Sequence, residues 1–336
     1  MIGLGEALCN WLESVDSVHA RLRRTKTSPG RPYVYPTSVL LRCYLLMLIY
    51  PPVRGYAPLH TFLTRHRCVC RLVGLREVPH RTTLMRRFKV LAPDLKARIW
   101  AMGWAFILAG YVQVHVLMAD GTLHRALGPE WPAKLKKHDI VPPKLRHLDH
   151  YAEWGISPYH GWVYGYRSHV VVGLTAEGQV LPLLGTAVPA NVQDNTLLRQ
   201  QMPWLPQEST AILLDSNYED HALIDAWEQI DEAGVLLRWL LIQPKERSGR
   251  PADWRQALQV RFVVQDNDLA HLRGSRMEPF FAHWKDAFQL RQVPFQGLAA
   301  EIFLLLALYA YQLLLWGNLQ ARRPLYAFQH LIFGLD

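Results

Sequence analysis

At 336 residues, half of them hydrophobic and 19% charged, the chain is long enough for about two domains with a sizeable core and too apolar to be disordered. Its net charge of +9 is concentrated at the start, because residues 1 to 100 carry 17 Lys and Arg against 5 Asp and Glu while the remainder carries 20 against 23. Four cysteines (Cys9, Cys43, Cys68, Cys70) exclude a disulfide scaffold and fit a reduced cytosol, whereas the basic first segment asks for a polyanion, either nucleic acid or an anionic membrane surface.

Residues 1–110 read as a small, basic, all-helical domain, with helix-length apolar periods broken by Pro and Gly. The start, with Glu6 in a short apolar run, lacks the basic leader of a cleavable signal. SVLLRCYLLMLIY (38–50) ends in Pro51-Pro52 and reads as a core helix. The His66, Cys68, Cys70, His80 cluster lacks zinc-site spacing, so packing cysteines are expected. REVPHRTTLMRRFKVL (76–91) reads as a turn and then a helix capped by Thr82 or Thr83, with Leu84, Phe88 and Leu91 in an apolar stripe. Arg86, Arg87 and Lys89 lie off that stripe and suit a DNA groove or backbone, although an ordinary amphipathic surface helix has the same pattern.

From residue 111 the pattern changes to strands. Val112, Val114, Val116, Met118 and Asp120 share one face, so the Asp120 carboxylate is expected at the end of a buried strand. A long polar insertion, 123–160, then interleaves Lys134, Lys136, Lys137, Lys144 and Arg146 with Trp131, Tyr151 and Trp154, a mixture suited to splayed nucleic-acid ends. Strands at 161–175 and 179–190 form a hairpin about Ala176-Glu177-Gly178. A helix capped by Asp194 runs towards Trp204, a strand ends at Asp215, a helix covers 219–234 and a strand covers 235–245. Glu278 opens a final amphipathic stretch in which Met277, Phe281, Trp284 and Phe288 face the sheet, and Pro279 places Glu278 near the helix start. Residues 302–316 are apolar but interrupted by Gln312 and shorter than the roughly 20 residues of a membrane span, so a buried helix is expected and no membrane partner. The element order, three strands, helix, strand, helix, strand, helix, is that of an α/β ribonuclease H-like mixed sheet flanked by helices, here preceded by the helical domain and spanning 111–336.

Asp120, Asp215 and Glu278 thus sit on two strand ends and a late helix, where three distant carboxylates can meet. Hard divalent ions take a few carboxylate oxygens and complete their shell with water and substrate phosphates, and two such ions can clamp an in-line displacement at phosphorus. With 28 Asp and Glu in the chain, each position alone is a weak signal.

Asp120-Gly121-Thr122, GWVYGYRSHVVV (161–172), PANVQDN (189–195), LLDSNY (213–218) and EPFFAHWK (278–285) occur in one order, and RPYVYP (31–36) and VGLREVPHRTTLMRRF (73–88) precede them. Together these blocks, covering most of the chain, resemble a DDE transposase of a bacterial insertion sequence. The resemblance implies that Asp120, Asp215 and Glu278 are catalytic and bind two Mg²⁺ ions, with Mn²⁺ able to substitute. It implies cleavage and strand transfer at transposon ends, with Thr122 and Tyr218 lining the site. Glu278 and Lys285 keep the spacing of the family's tyrosine, arginine, glutamate, lysine signature, and Lys285 would contact a DNA phosphate. The signature's arginine and tyrosine positions hold Gly274 and His271, so Arg273 or Arg276 would have to substitute. DNA contacts are expected from Lys285, Arg276, Arg273, Arg86, Arg87, Lys89, Lys136 and Lys137. His169 and His283 lie near motif acids, but metal-assisted chemistry needs no side-chain base. The expected partners are double-stranded DNA, both transposon ends and target, and a second copy on DNA, in the bacterial cytoplasm at the nucleoid. The alternatives are a catalytically silent DNA-binding descendant, a plain ribonuclease H-like nuclease, or a protein anchored in a membrane by residues 302–316.

Overall fold

The computed structural model describes residues 35–143, 145–157, 161–233, 235–242 and 267–328. Among the described residues, five helices precede the sheet: α1 (Thr37–Ile49), α2 (Tyr56–Arg65), α3 (Arg67–Leu72), α4 (Arg81–Phe88) and α5 (Ala92–Leu108). α1 stops where Pro51 opens a 3₁₀ turn, since a proline and the residue before it both resist helix continuation. α4 begins at Arg81, two residues earlier than a Thr82 cap would place it, because His80 is the cap and its side chain accepts from the Thr82 N–H. Of the two cysteines in the 66–80 cluster, Cys70 packs, buried with its thiol donating to the Leu63 carbonyl, whereas Cys68 is exposed; Cys43 in α1 is also buried and donates to the Val39 carbonyl. Phe88 touches the rings of Tyr44, Tyr56 and Phe295, and Arg54 donates to the Phe288 carbonyl, so the helical region is fastened to the C-terminal half.

Among the described residues, seven strands form one mixed sheet: β1 (Gln113–Arg125), β2 (Glu153–Ser157), β3 (Gly161–Leu174), β4 (Val180–Pro189), β5 (Ala211–Leu214), β6 (Gln229–Ile230) and β7 (Leu236–Ile242). β3 pairs antiparallel with β1 along one edge and with β2 and then β4 along the other, while β1, β5 and β7 run parallel. The principal strands therefore lie in the order β4-β3-β1-β5-β7, the ribonuclease H-like arrangement. Gly178, at φ 73°, turns the expected β3–β4 hairpin.

Four expectations need correction. β1 does not end at Asp120; residues 121–125 stay paired with β3, so the strand runs on although β5 has stopped. The 123–160 connection is not structureless, because it holds the short helix α6 (Ala133–Lys136) and β2, whose edge pairs with the start of β3. Asp194 is the first residue of α7 (Asp194–Gln201) and not its cap, and Pro203 converts the following turn to 3₁₀. The helix expected over 219–234 is only α8 (His221–Trp227): past the buried Trp227 the chain offers exposed Gln229 to Glu232 with no apolar stripe to bury, and Gln229–Ile230 pair with β7.

Two long helices cover one face of the sheet: α9 (Asn267–Phe288) and α10 (Leu298–Gln320). α9 starts about three turns before Glu278, so Pro279 lies inside the helix and not in its first turn. The docking stripe explains this, since Arg273 and the buried Met277 extend it upstream of the proline. α10 is long and apolar enough to cross a membrane, yet 89% of its apolar window is buried inside the fold. Among its buried polar side chains, Gln312 donates to the Ile99 and Pro182 carbonyls at 3.0 and 2.9 Å and so ties α10 to α5 and β4.

Candidate active site

The register of the parallel strands builds the site. Met118 on β1 pairs with Leu213 on β5, so two residues further on Asp120 and Asp215 stand side by side where β5 ends. Past that point no strand among the described residues lies along this β1 edge, and the Gly121 N–H is taken by the Asp120 Oδ1 at 2.7 Å. The second Asp120 oxygen accepts from Arg273 Nη1 at 2.7 Å, with both side chains 17% exposed. Asp215 caps a 3₁₀ turn, its two oxygens accepting from the Asn217 backbone N–H at 2.8 Å and the Asn217 side-chain amide at 3.1 Å.

A third carboxylate, absent from the expected set, belongs to this neighbourhood. Asp194, at the start of α7, lies against Gly121 so closely that a Cβ added there would fall 2.7 Å from the Asp194 Cγ. Arg167 of β3 pairs with one Asp194 oxygen, both side chains being nearly buried. The other oxygen, Oδ1, is buried with no hydrogen-bond partner among the described residues. The signal was in the chain as the Asp120-Gly121 pair and the Asp of PANVQDN, but helix-cap chemistry accounted for that Asp equally well.

The acids feel one another. Burial pushes Asp120 up to about 7, helped by the charges of Asp215 and Asp194 and opposed by Arg273 and the Gly121 N–H. Burial likewise raises Asp194 to about 6, with Asp215 adding to the rise and Arg167 opposing it. Each of these two carboxylates is balanced by an arginine, and the acid oxygens gathered here are the donor type that hard divalent ions take.

The other named residues sort by face. Residues paired directly across a sheet share a face, so Asp120, Val170 and Gly185 look towards α9 and α10, while Gly121 and His169 look the other way. On that second face His169 is fully buried, bridged through Nδ1 to the Gln201 side chain at 2.7 Å and through Nε2 to the Tyr218 hydroxyl at 2.8 Å. Burial drives His169 down to about 3, so it stays neutral and serves packing. Tyr218, expected to line the site, is sealed beneath it in the same bridge. His283 is bonded to the Tyr311 hydroxyl among Tyr326 and Phe328 rings, a structural place as well. Thr122 is half-buried on the Asp120 face, opposite Ser168.

Lys285 lies beside β1, its Nζ donating to the Leu123 carbonyl at 3.0 Å, and burial lowers it to about 8. Glu278 is on the exposed side of α9. As placed, no three His, Cys, Asp or Glu side chains among the described residues converge closely enough to hold one metal ion, so Asp120 and Asp215 are brought together and Glu278 stands outside the pair.

Of the expected DNA-binding cations, Arg86, Lys89 and Lys137 are exposed, and Arg87 is half-buried, donating to the Thr37 hydroxyl at 2.9 Å. Arg276 is exposed near the Gly178 turn, at the end of the hairpin away from the acids. Arg273 is on Asp120. Lys136 is a correction: it is nearly buried, donates to the Ala152 carbonyl at 2.6 Å, pairs with Glu153 at 3.1 Å and sits over the Trp131 ring at 4.9 Å. Its charge folds the insertion and does not face a ligand.

Strand order β4-β3-β1-β5-β7, with acids on β1 and at the end of β5, defines a ribonuclease H-like α/β protein. Within that class a family model for the transposase DDE domain matches residues 115–313, and the chain belongs to that family. No curated protein and no solved structure matches the chain.

Proposed function

We propose that the chain is the transposase of an insertion sequence, binding the ends of its element and carrying out Mg²⁺-dependent cleavage and strand transfer on DNA. The observation that carries this reading is the placement of Asp120 and Asp215 side by side where β5 ends. In the proposed site Asp120 and Asp215 hold the divalent ions, and Glu278 of α9 joins them once DNA is seated. Two ions bound there would supply activation of the attacking oxygen and stabilisation of the leaving 3′ oxygen.

The chain's own groups do the rest. Arg273 neutralises Asp120 and, when a cation takes over that role, is released towards a DNA phosphate. Lys285, already beside β1 with a reduced pKa, turns from the Leu123 carbonyl to the scissile strand. Residues 1–110 serve as the basic DNA-binding domain, with Arg86, Arg87 and Lys89 on the backbone and Lys137 contributing from the insertion, and 111–336 serve as the catalytic domain. Two ends must be processed together, so the working form is a homodimer on double-stranded DNA at the nucleoid, with no membrane partner. A plasmid carrying the gene's own flanking DNA, incubated with Mg²⁺ and either native protein or Glu278→Gln, tests this reading. Cuts at the element borders that vanish in the variant are expected; border binding without cutting would show a silent DNA-binding protein, and cutting without border preference a plain nuclease.

A further inference from the structure

We propose that Asp194 is a third carboxylate ligand of the divalent-ion site, held ready by Arg167 and seated on Gly121. The proposal rests on the reading above that Asp120 and Asp215 bind a divalent ion. It goes beyond that reading by adding a ligand from α7, on the opposite face of β1 from α9.

Three observations support it. First, the chain leaves room for this carboxylate at the cost of a side chain on β1: residue 121 is glycine, and a Cβ there would stand 2.7 Å from the Asp194 Cγ. Such a close approach to a strand, one residue from Asp120, is specified and not incidental. Second, Arg167 takes one oxygen of the nearly buried Asp194, and Oδ1 has no partner among the described residues. A buried carboxylate oxygen with no donor is costly unless the site supplies one under working conditions, and a cation is the donor that suits it. Third, the two faces of β1 are matched. Arg273 holds Asp120 from one side and Arg167 holds Asp194 from the other, each guanidinium leaving one carboxylate oxygen outside the pair. As placed the carboxylates do not converge on a point, so binding requires Asp120 and Asp194 to turn from their arginines towards the β1 edge beyond Leu214. Both are short side chains with two torsions, and the ion replaces the charge that each gives up.

Mn²⁺ binding to the DNA-free protein, read by electron paramagnetic resonance and calorimetry, tests this without any turnover. Asp194→Asn should weaken Mn²⁺ binding by at least about tenfold, as Asp120→Asn and Asp215→Asn do, while its thermal unfolding stays cooperative. Native affinity in Asp194→Asn, with affinity lost in the other two, would overturn the proposal and leave the Asp120 and Asp215 site standing. Absence of Mn²⁺ binding by native protein would overturn both. Should Asp194→Asn fail to fold, Fe²⁺ and ascorbate cleavage of native protein decides: main-chain cuts at 193–196 accompanying those at 120–122 and 214–217 are expected, and cuts at the latter two alone refute the ligand role.

Discussion

Replacing Gly121 with Ala should destabilise the protein even though the local backbone would prefer the change. In a strand, Ala is favoured over Gly by at most about 1 kcal/mol, because glycine loses more freedom on folding. Against this, the new Cβ falls 2.7 Å from the Asp194 Cγ, where ordinary contact begins at 3.4 Å, and the carboxylate cannot retreat without disturbing its pairing with Arg167. Overpacking costs about 1–3 kcal/mol, and loosening a nearly buried pair adds a share of the roughly 3–5 kcal/mol that breaking one costs. The net is a loss of about 2 kcal/mol, or a melting point lower by about 4 °C. A double-mutant cycle with Asp194→Ala, read by urea unfolding, isolates the cause: once the carboxylate is gone, Gly121→Ala should be neutral or stabilising. An equal cost in both backgrounds would refute the seating of Asp194 on Gly121.

In metal-free buffer, Asp120 and Asp194 hold protons at about 7 and about 6, above their ordinary 3.8, so between roughly pH 4 and 7 the folded chain binds more protons than the unfolded one. Stability should therefore fall as pH rises through that window, and Asp120→Asn should flatten the decline; a stability that rises with pH would contradict the burial assigned to these acids. His169→Ala should lower stability by about 2–4 kcal/mol through loss of its buried bridge, while the pH profile of DNA cleavage by the folded variant keeps its shape, which a general base could not do. Lys136→Ala should cost about 1–3 kcal/mol and leave the salt dependence of DNA binding unchanged, whereas Lys89→Ala should reduce that log–log slope by about 0.9 with no change in melting. A slope change in the first or a stability loss in the second would reverse the roles given to these lysines.

The sheet was legible because its information is local. Val112 to Asp120 alternate, Ala176-Glu177-Gly178 turn a hairpin, and Leu213-Leu214-Asp215 close an apolar run, so the order of elements along the chain and the place of each aspartate at the end of an apolar run could be read from it. What depends on a distant partner was not. β1 outlasts Asp120 only because β3 continues beside it, and β2 exists only because the start of β3 offers an edge. Lys136 looked like a solvent charge until Trp131, Ala152 and Glu153 were seen to surround it. Pro279 suggested a helix start, but anchors upstream at Arg273 and Met277 carry α9 through it. Asp194 was hidden by a sufficient alternative use, since an Asp at a helix beginning needs no further explanation.

Strand transfer with pre-cut ends tests the account most directly, because it bypasses end cleavage and asks only whether the carboxylates act on phosphorus. Native protein with Mg²⁺ should join a border fragment carrying a free 3′ hydroxyl to a target plasmid. Asp120→Asn and Asp215→Asn should bind the same fragment as tightly and join it at least about 1,000-fold more slowly, a loss of roughly 4 kcal/mol of transition-state stabilisation. Joining by either variant at near-native rate would show that the acids at this strand edge do not carry the chemistry.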